Sequence, residues 1–331
     1  MPTNLSHDSP YHAPVLVAEV CGLLAGAPGE TRGTRIEPAT WSINGAGKRM
    51  LDGTLGGGGH SEALLETGAD VTGLDQDPEA LSAATLRLKS YADAGRFRAV
   101  ATNFADFDGD GAFDGILLDL GVSSHQLDDA TRGFSFREGA PLDARMSGTG
   151  ESAADFLNGS DLGELASVFR EYGDERQAMR LAREVIRRRD NRPFVVSDDF
   201  VGAIRAVLGP KSGPSDFARL FQAVRIAVND ELGVLERSLP ALRDRLAPSG
   251  VFAVITYHSG EDRLVKHAFR DWSRSCTCPP RQPVCTCGGD NALGDVVTRR
   301  AIVAAADEIL RNARARSAKL RAWRRRAVRP R

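Results

Sequence analysis

Short apolar runs, three of them closed by an aspartate, alternate with amphipathic segments through the first 120 positions. Arg49-Met50-Leu51-Asp52 is the first such run, followed by the glycine turn Gly56-Gly57-Gly58-Gly59 and a predicted helix from Ser61 to Thr67. Val71 to Leu74, closed by Asp75, is a second strand. Asp77-Pro78-Glu79 then opens a helix to about Tyr91, with Asp77 as N-cap and Pro78 at the first helical position. Phe97 to Ala101 predicts a third strand and Phe113 to Asp119 a fourth, whose apolar density suits a parallel strand buried on both faces.

The alternation then stops. Leu127 to Met146 reads as a long loop, and Ser152 to Leu208 as helix in segments near Ala153–Asn158, Leu162–Tyr172, Glu175–Arg189 and Ser197–Val207. Order resumes with a helix from Phe217 to Leu246, a fifth strand from Gly250 to Tyr257, the loop His258 to Arg263, and a strand near Val296 to Val303. Residues 1–10 read as disordered, and Gly26 to Lys48 as an irregular loop. The pattern predicts an α/β protein with a Rossmann-like sheet and an inserted all-helical domain. Residues 1–130 and 216–310 form the two parts of the sheet domain, 131–215 the insertion, and 311–331 a basic C-terminal tail.

The glycine turn between two strands, with a carboxylate at the tip of the second, points to a nucleoside cofactor. Glycine lets backbone approach a ligand closely, and Asp75 can accept ribose hydroxyls. A dinucleotide fingerprint starting at Gly56 would need a third glycine where Ser61 stands, and no Lys-Ser or Lys-Thr follows to make a P-loop. The spacing of Asp52, Gly56 and Gly58 instead resembles motif I of S-adenosylmethionine-dependent methyltransferases.

Charge adds a possible partner class. From Arg299 to Arg331 twelve Lys or Arg face only Asp307 and Glu308, a balance of +10, against −11 on the remaining 298 residues. Such asymmetry suits nucleic acid. No apolar run approaches the roughly 20 residues of a membrane span. The N-terminus lacks a signal-peptide pattern, and four of five cysteines bunch between Cys276 and Cys287 rather than forming a secreted disulfide framework. A cytoplasmic location without membrane attachment is expected.

Several stretches together resemble the bacterial 16S ribosomal RNA (cytosine-N4)-methyltransferases. They are Asp52–His60, Ile116–Ser124 with Gln126-Leu127-Asp128-Asp129, Arg132–Phe136, Phe221–Asn229, Tyr257–Arg263 and Arg314–Arg321, spanning about His12 to Arg321. Gly260 and Ala313 depart from the leucine and proline usual at those positions. The resemblance implies methylation of the N4 amino group of a cytidine in the decoding region, with S-adenosyl-L-methionine as cofactor. The partner is 16S ribosomal RNA or the small ribosomal subunit, and a homodimer is left open. By motif position, cofactor contacts fall on Gly58, Gly59, His60, Asp75, Phe104, Asp119 and Gln126. The insertion becomes a substrate-recognition domain.

Asp119, at the carboxyl end of the fourth strand, is the expected catalytic group, holding the substrate amine or the cofactor; His258 is the second, as acceptor of a product proton or as phosphate contact. Candidate RNA contacts are Phe134 and Phe136 for stacking, with Arg187, Arg188, Arg316, Lys319 and Arg321 for phosphate. Glu261 and Arg263 are expected to pair with each other. The reaction needs no metal, but Cys276, Cys278, Cys285 and Cys287 are candidate ligands of a structural zinc, with C-x-C spacing in place of the usual C-x2–4-C. Two other functions fit parts of the pattern. A non-catalytic RNA-binding assembly factor would show a broken cofactor site, and an NAD-dependent oxidoreductase would bind NAD instead of adenosylmethionine.

Overall fold

The computed structural model of the chain describes residues 14–26, 42–123, 126–127, 129–279 and 282–327. The expectations for residues 1–10 and for most of the loop between Gly26 and Lys48 lie outside these, as do Ser124 and Asp128 of the quoted motifs. Two compact units emerge: residues 1–121 with 234–331, and residues 122–233.

The first unit carries α1 (Val17–Ala25), β1 (Arg49–Asp52), α2 (Gly59–Glu66), β2 (Asp70–Asp75), α3 (Pro78–Arg87), α4 (Lys89–Asp93), β3 (Phe97–Ala101) and β4 (Phe113–Asp119). The second carries α5 (Ala153–Gly159), α6 (Leu162–Glu171), α7 (Ala178–Arg189), α8 (Ser197–Leu208) and α9 (Pro214–Val228). The chain continues through α10 (Glu231–Asp244), β5 (Leu246–Thr256), α11 (Ser259–Trp272), β6 (Gly294–Val296), α12 (Ala306–Arg311) and β7 (Lys319–Arg325). A seven-stranded sheet runs in the order β3-β2-β1-β4-β5-β7-β6. Its first five strands are parallel, and β7 lies antiparallel to both β5 and β6. This is the mixed α/β, Rossmann-like architecture expected.

Strand alternation sorts the sheet into two cores. Met50, Leu117, Ala253, Ile255 and Leu320 pack on one face with Leu24, Leu64 and Ala84 of α1, α2 and α3. Their neighbours Leu51, Ile116, Leu118, Phe252, Val254 and Trp323 pack on the other with Leu235 and Leu239 of α10 and Phe269 of α11. Asp77 caps α3 by accepting from the Glu79 N–H, with Pro78 following it. The helical unit has its own core, in which Phe156, Leu165, Phe169, Leu181, Phe200 and Leu220 converge.

Four expectations are corrected. The continuous helix from Phe217 to Leu246 is two helices, because Asp230 adopts a left-handed φ of 47° and Asn229 ties the break to the Ala144 carbonyl. The fifth strand begins at Leu246, not Gly250: the register shifts opposite Phe113–Gly115, and Ser249 turns through a φ of 68°. The strand near Val296–Val303 ends at Val296, while Ile302 keeps only an isolated bridge to Leu320. Most importantly, the C-terminal segment is not a tail: Lys319–Arg325 is an internal strand between β5 and β6, and Trp323 is fully buried. Its arginines dominate the composition there, yet Leu320 and Ala322 alternate with them on one face.

Candidate active site

Neighbouring parallel strands β2, β1 and β4 each end in a carboxylate, Asp75, Asp52 and Asp119. Asp52 lies level with Gly73 and Leu117, so Asp75 and Asp119 each project two residues beyond it on either side. Strand order reverses between β1 and β4, and the crevice at such a reversal is where open α/β sheets bind ligands.

Asp52 is the internal member. Its Oδ2 accepts from Ser61 Oγ at 2.7 Å and its Oδ1 from the Thr54 N–H at 3.2 Å. Burial raises its pKa, and His60 and the Ser61 hydroxyl oppose that. Ser61, where a dinucleotide fold would carry its third glycine, thus anchors the first strand to α2 through a hydroxyl.

Asp75 is aimed by two backbone donors. The Gly56 N–H reaches Oδ2 at 2.8 Å and the Asp77 N–H reaches Oδ1 at 2.9 Å. Burial raises its pKa against those bonds. Each oxygen keeps a further lone pair for a hydroxyl. Beside it Gly56 has a φ of +49°, and a Cβ there would meet only the Thr54 carbonyl, 4.0 Å away. An open backbone next to a preset carboxylate fits a nucleoside with vicinal hydroxyls. Gly58 and Gly59 work differently. Added Cβ atoms would come within 3.1 Å of Leu88 Cδ1 and 3.0 Å of Pro14 Cγ, so these glycines let the turn pack on the protein itself. Phe104 follows β3 and packs beside Gly53, where an added Cβ would approach its own Cβ to 3.2 Å.

Asp119 has the densest surroundings. Tyr257, just past the end of β5, donates its hydroxyl to Oδ1 at 2.9 Å, and the Asp119 N–H donates to Thr54 Oγ1 at 2.6 Å. His60 Nδ1 stands 3.6 Å from Oδ2. Burial pushes the Asp119 carboxyl up to about 6, with His60 and the Tyr257 hydroxyl pulling the other way. Burial, then Asp119 itself, drives the Tyr257 phenol well above its ordinary value.

A family model described as the MraW methylase family matches residues 9–326. The chain belongs to that family. Among its relatives, the "Ribosomal RNA small subunit methyltransferase H" of Gemmatimonas aurantiaca is 58% identical over 320 residues, covering 95% of each chain. The protein of the same name from Heliobacterium mobile is 44% identical, over 94% of this chain and 97% of its own. That of an Anaeromyxobacter strain is 46% identical, over 94% and 96%. As an MraW methylase the chain is an S-adenosylmethionine-dependent methyltransferase, the cofactor class expected from its glycine-turn motif.

The remaining residues singled out in the sequence fall elsewhere. His258 Nε2 lies 3.2 Å from Glu261 Oε1 but out of line for a hydrogen bond, which leaves this buried nitrogen without a hydrogen-bond partner. Glu261 is not paired with Arg263 as expected. Its Oε2 accepts from the Tyr257 N–H at 2.8 Å and more weakly from the His258 N–H at 3.3 Å, because the start of α11 needs a cap. Gln126 belongs to the helical unit, where its Oε1 accepts from the Ser123 N–H at 3.1 Å.

The expected RNA contacts need more correction. Phe134 is buried in the helical unit, with Arg132 over its ring. Phe136 meets Phe217 and Phe221 edge-on, so both rings pack in that unit's core instead of forming an open stacking platform. Arg187 and Arg188 both bind Glu184, whose pKa they hold down to about 2. Arg321 makes a two-pronged bond to Asp262 at 2.7 and 3.2 Å, with Lys319 at 3.8 Å from the same carboxylate. Arg316 is exposed. Sequence reasoning also missed Tyr257 and Thr54 as partners of Asp119. The signal was the adjacency of β4 to β5 and to β1, which a single sequence does not display.

Proposed function

We propose that this MraW methylase transfers a methyl group from S-adenosylmethionine to the N4 amino group of a cytidine in the decoding region of 16S ribosomal RNA. The observation that carries the reading is Asp119, a carboxylate at the strand reversal, braced by Tyr257 and His60 and ionising near neutrality. The names of the relatives support the substrate class. A ribosomal substrate would place the reaction in the cytoplasm.

When bound, the cofactor supplies a methyl group on a sulfonium, a donor that needs no metal. Asp75 would take the ribose hydroxyls, the open backbone at Gly56 would admit the ligand beside it, and Phe104 would flank the base. The N4 lone pair of cytosine is delocalised into its ring, so the amine is a weak nucleophile. Asp119 in its carboxylate form accepts a hydrogen bond from that amino group, favours its pyramidal form, and can hold the proton released after transfer. Tyr257 keeps Oδ1 oriented, and the remaining acceptor capacity of the carboxylate would serve the amino group. His258, whose Nε2 makes no hydrogen bond but lies 3.2 Å from Glu261 Oε1, would be a second proton acceptor or a phosphate contact. Positioning dominates the rate of such a displacement, with reacting atoms needing to lie about 3–3.5 Å apart.

Nucleoside mass analysis of small-subunit RNA from cells with and without the protein tests the reading. N4-methylcytidine should appear only with the active protein and vanish in Asp119→Ala. A methyl mark on another base, or none, would reject the assignment.

A further inference from the structure

Between α11 and β6 the chain runs for about twenty residues, with no helix or strand among those described, well past the usual length of an unsupported loop. Apolar packing does little there: Val284 is 70% exposed, and Ala292 is a rare buried side chain in the stretch. Yet it folds back on itself, with the Leu293 N–H bound to the Trp272 carbonyl at 2.8 Å and the Asn291 N–H to the Ser275 carbonyl at 2.9 Å. At its centre are four free cysteines, Cys276, Cys278, Cys285 and Cys287, whose sulfurs all lie within 4.8 Å of one another.

The sulfur geometry is specific. Cys276–Cys285 is 3.7 Å, Cys278–Cys285 3.9 Å, Cys285–Cys287 3.5 Å and Cys276–Cys287 3.6 Å. A tetrahedron of thiolates around zinc, with metal–sulfur bonds of about 2.3 Å, has edges of about 3.8 Å. The two Cys-Thr-Cys segments face each other reciprocally. The Thr277 N–H points to Cys287 Sγ and the Thr286 N–H to Cys278 Sγ, both at 3.3 Å. Such donors stabilise thiolate charge and aim a ligand from its outer shell. In extended backbone, residues two apart share a face, so C-x-C delivers both sulfurs of a pair to one ion.

We propose that Cys276, Cys278, Cys285 and Cys287 bind one structural zinc ion that locks residues 273–293 against the sheet unit. Four thiols and one aqueous Zn2+ give a tetrathiolate, with four protons released to solvent and no change of oxidation state. All four positions are filled by sulfur, so the site is closed to substrate and stands outside the methyl-transfer chemistry.

The test uses the full chain purified from zinc-supplemented medium. About one zinc per chain is expected by elemental analysis, falling to background in the double variant Cys285→Ser/Cys287→Ser and unchanged in Cys21→Ala, since Cys21 lies buried in α1 away from the cluster. Cobalt titration of reduced, metal-free wild-type protein reads the site without any variant. A saturable thiolate-to-cobalt charge-transfer band is expected, together with slower proteolysis between residues 273 and 293. A reduced wild-type chain that takes up neither zinc nor cobalt overturns the proposal, as does zinc retained at full stoichiometry by the double variant.

Discussion

His60 Nδ1 lies 3.6 Å from Asp119 Oδ2, while the other ring nitrogen, Nε2, is 2.8 Å from the Val15 carbonyl. A carbonyl can only accept, so Nε2 carries a proton. In the neutral ring Nδ1 therefore turns a lone pair toward Asp119. Asp119, pushed up to about 6 mainly by burial, gains or loses its own proton close to neutral pH.

Asp119→Asn should stabilise the protein while abolishing methyl transfer. The Asp119 pKa in the folded state, about 6, exceeds its ordinary value of 3.8, so the folded chain holds this proton more tightly than the unfolded one. Stability from this group is present at low pH and is lost as pH rises across that window. The amide is uncharged, can still accept from Tyr257, and can donate to Nδ1. Denaturant melts at pH 3, 5 and 8 should show a gain that is near zero at pH 3, partial at pH 5 and largest, roughly 1–3 kcal/mol, at pH 8.

Tyr257→Phe removes a hydrogen bond to the charged form of Asp119. Burial, with His60, Asp52 and Glu261, remains to set its titration. The acidic limb of the methyl-transfer rate profile should move to higher pH, and turnover should fall more than cofactor affinity. An unshifted limb would remove Tyr257 from the positioning of Asp119.

Asp75→Ala should weaken adenosylmethionine binding by about 1–3 kcal/mol, the scale of a lost charge-assisted acceptor. The loss includes the carboxylate that holds Gly56 and Asp77 in place. Calorimetry with unchanged affinity would separate Asp75 from the cofactor.

Removing residues 311–331 should unfold the sheet unit instead of sparing cofactor binding, because β7 lies inside the sheet. The milder Trp323→Ala loses a fully buried ring and the bond from its Nε1 to Ser273 Oγ at 3.0 Å. Urea unfolding should show a loss of about 3–5 kcal/mol.

Arg316→Ala and Arg321→Ala should part company. Exposed Arg316 is available to phosphate, and its loss should lower the salt slope of RNA binding by about 0.7–0.9. Arg321 is committed to Asp262, so its loss should lower stability more than it changes the slope. RNA affinities at two salt concentrations decide between them.

Local chemistry was readable from the sequence wherever its cause was local. The runs ending in Asp52, Asp75 and Asp119 mark parallel strands because buried strands need apolar density. The glycine turn declares itself because glycine adopts φ values such as +49° and +80°, at Gly56 and Gly58, more readily than any other residue. The Asp77-Pro78 start of α3 is equally short-range.

What tertiary structure alone decided was which charges are already spent. Composition made residues 311–331 a basic tail, whereas pairing of Lys319–Arg325 with β5 and β6 buries its apolar face and binds Arg321 to Asp262. Phe134 and Phe136 read as a stacking pair until the helical core enclosed them. Tyr257 and His60 meet Asp119 from 138 and 59 positions away, a closeness set by strand order and not by spacing along the chain. Burial, and with it the pKa of a carboxylate, is a property of neighbours that the fold assembles.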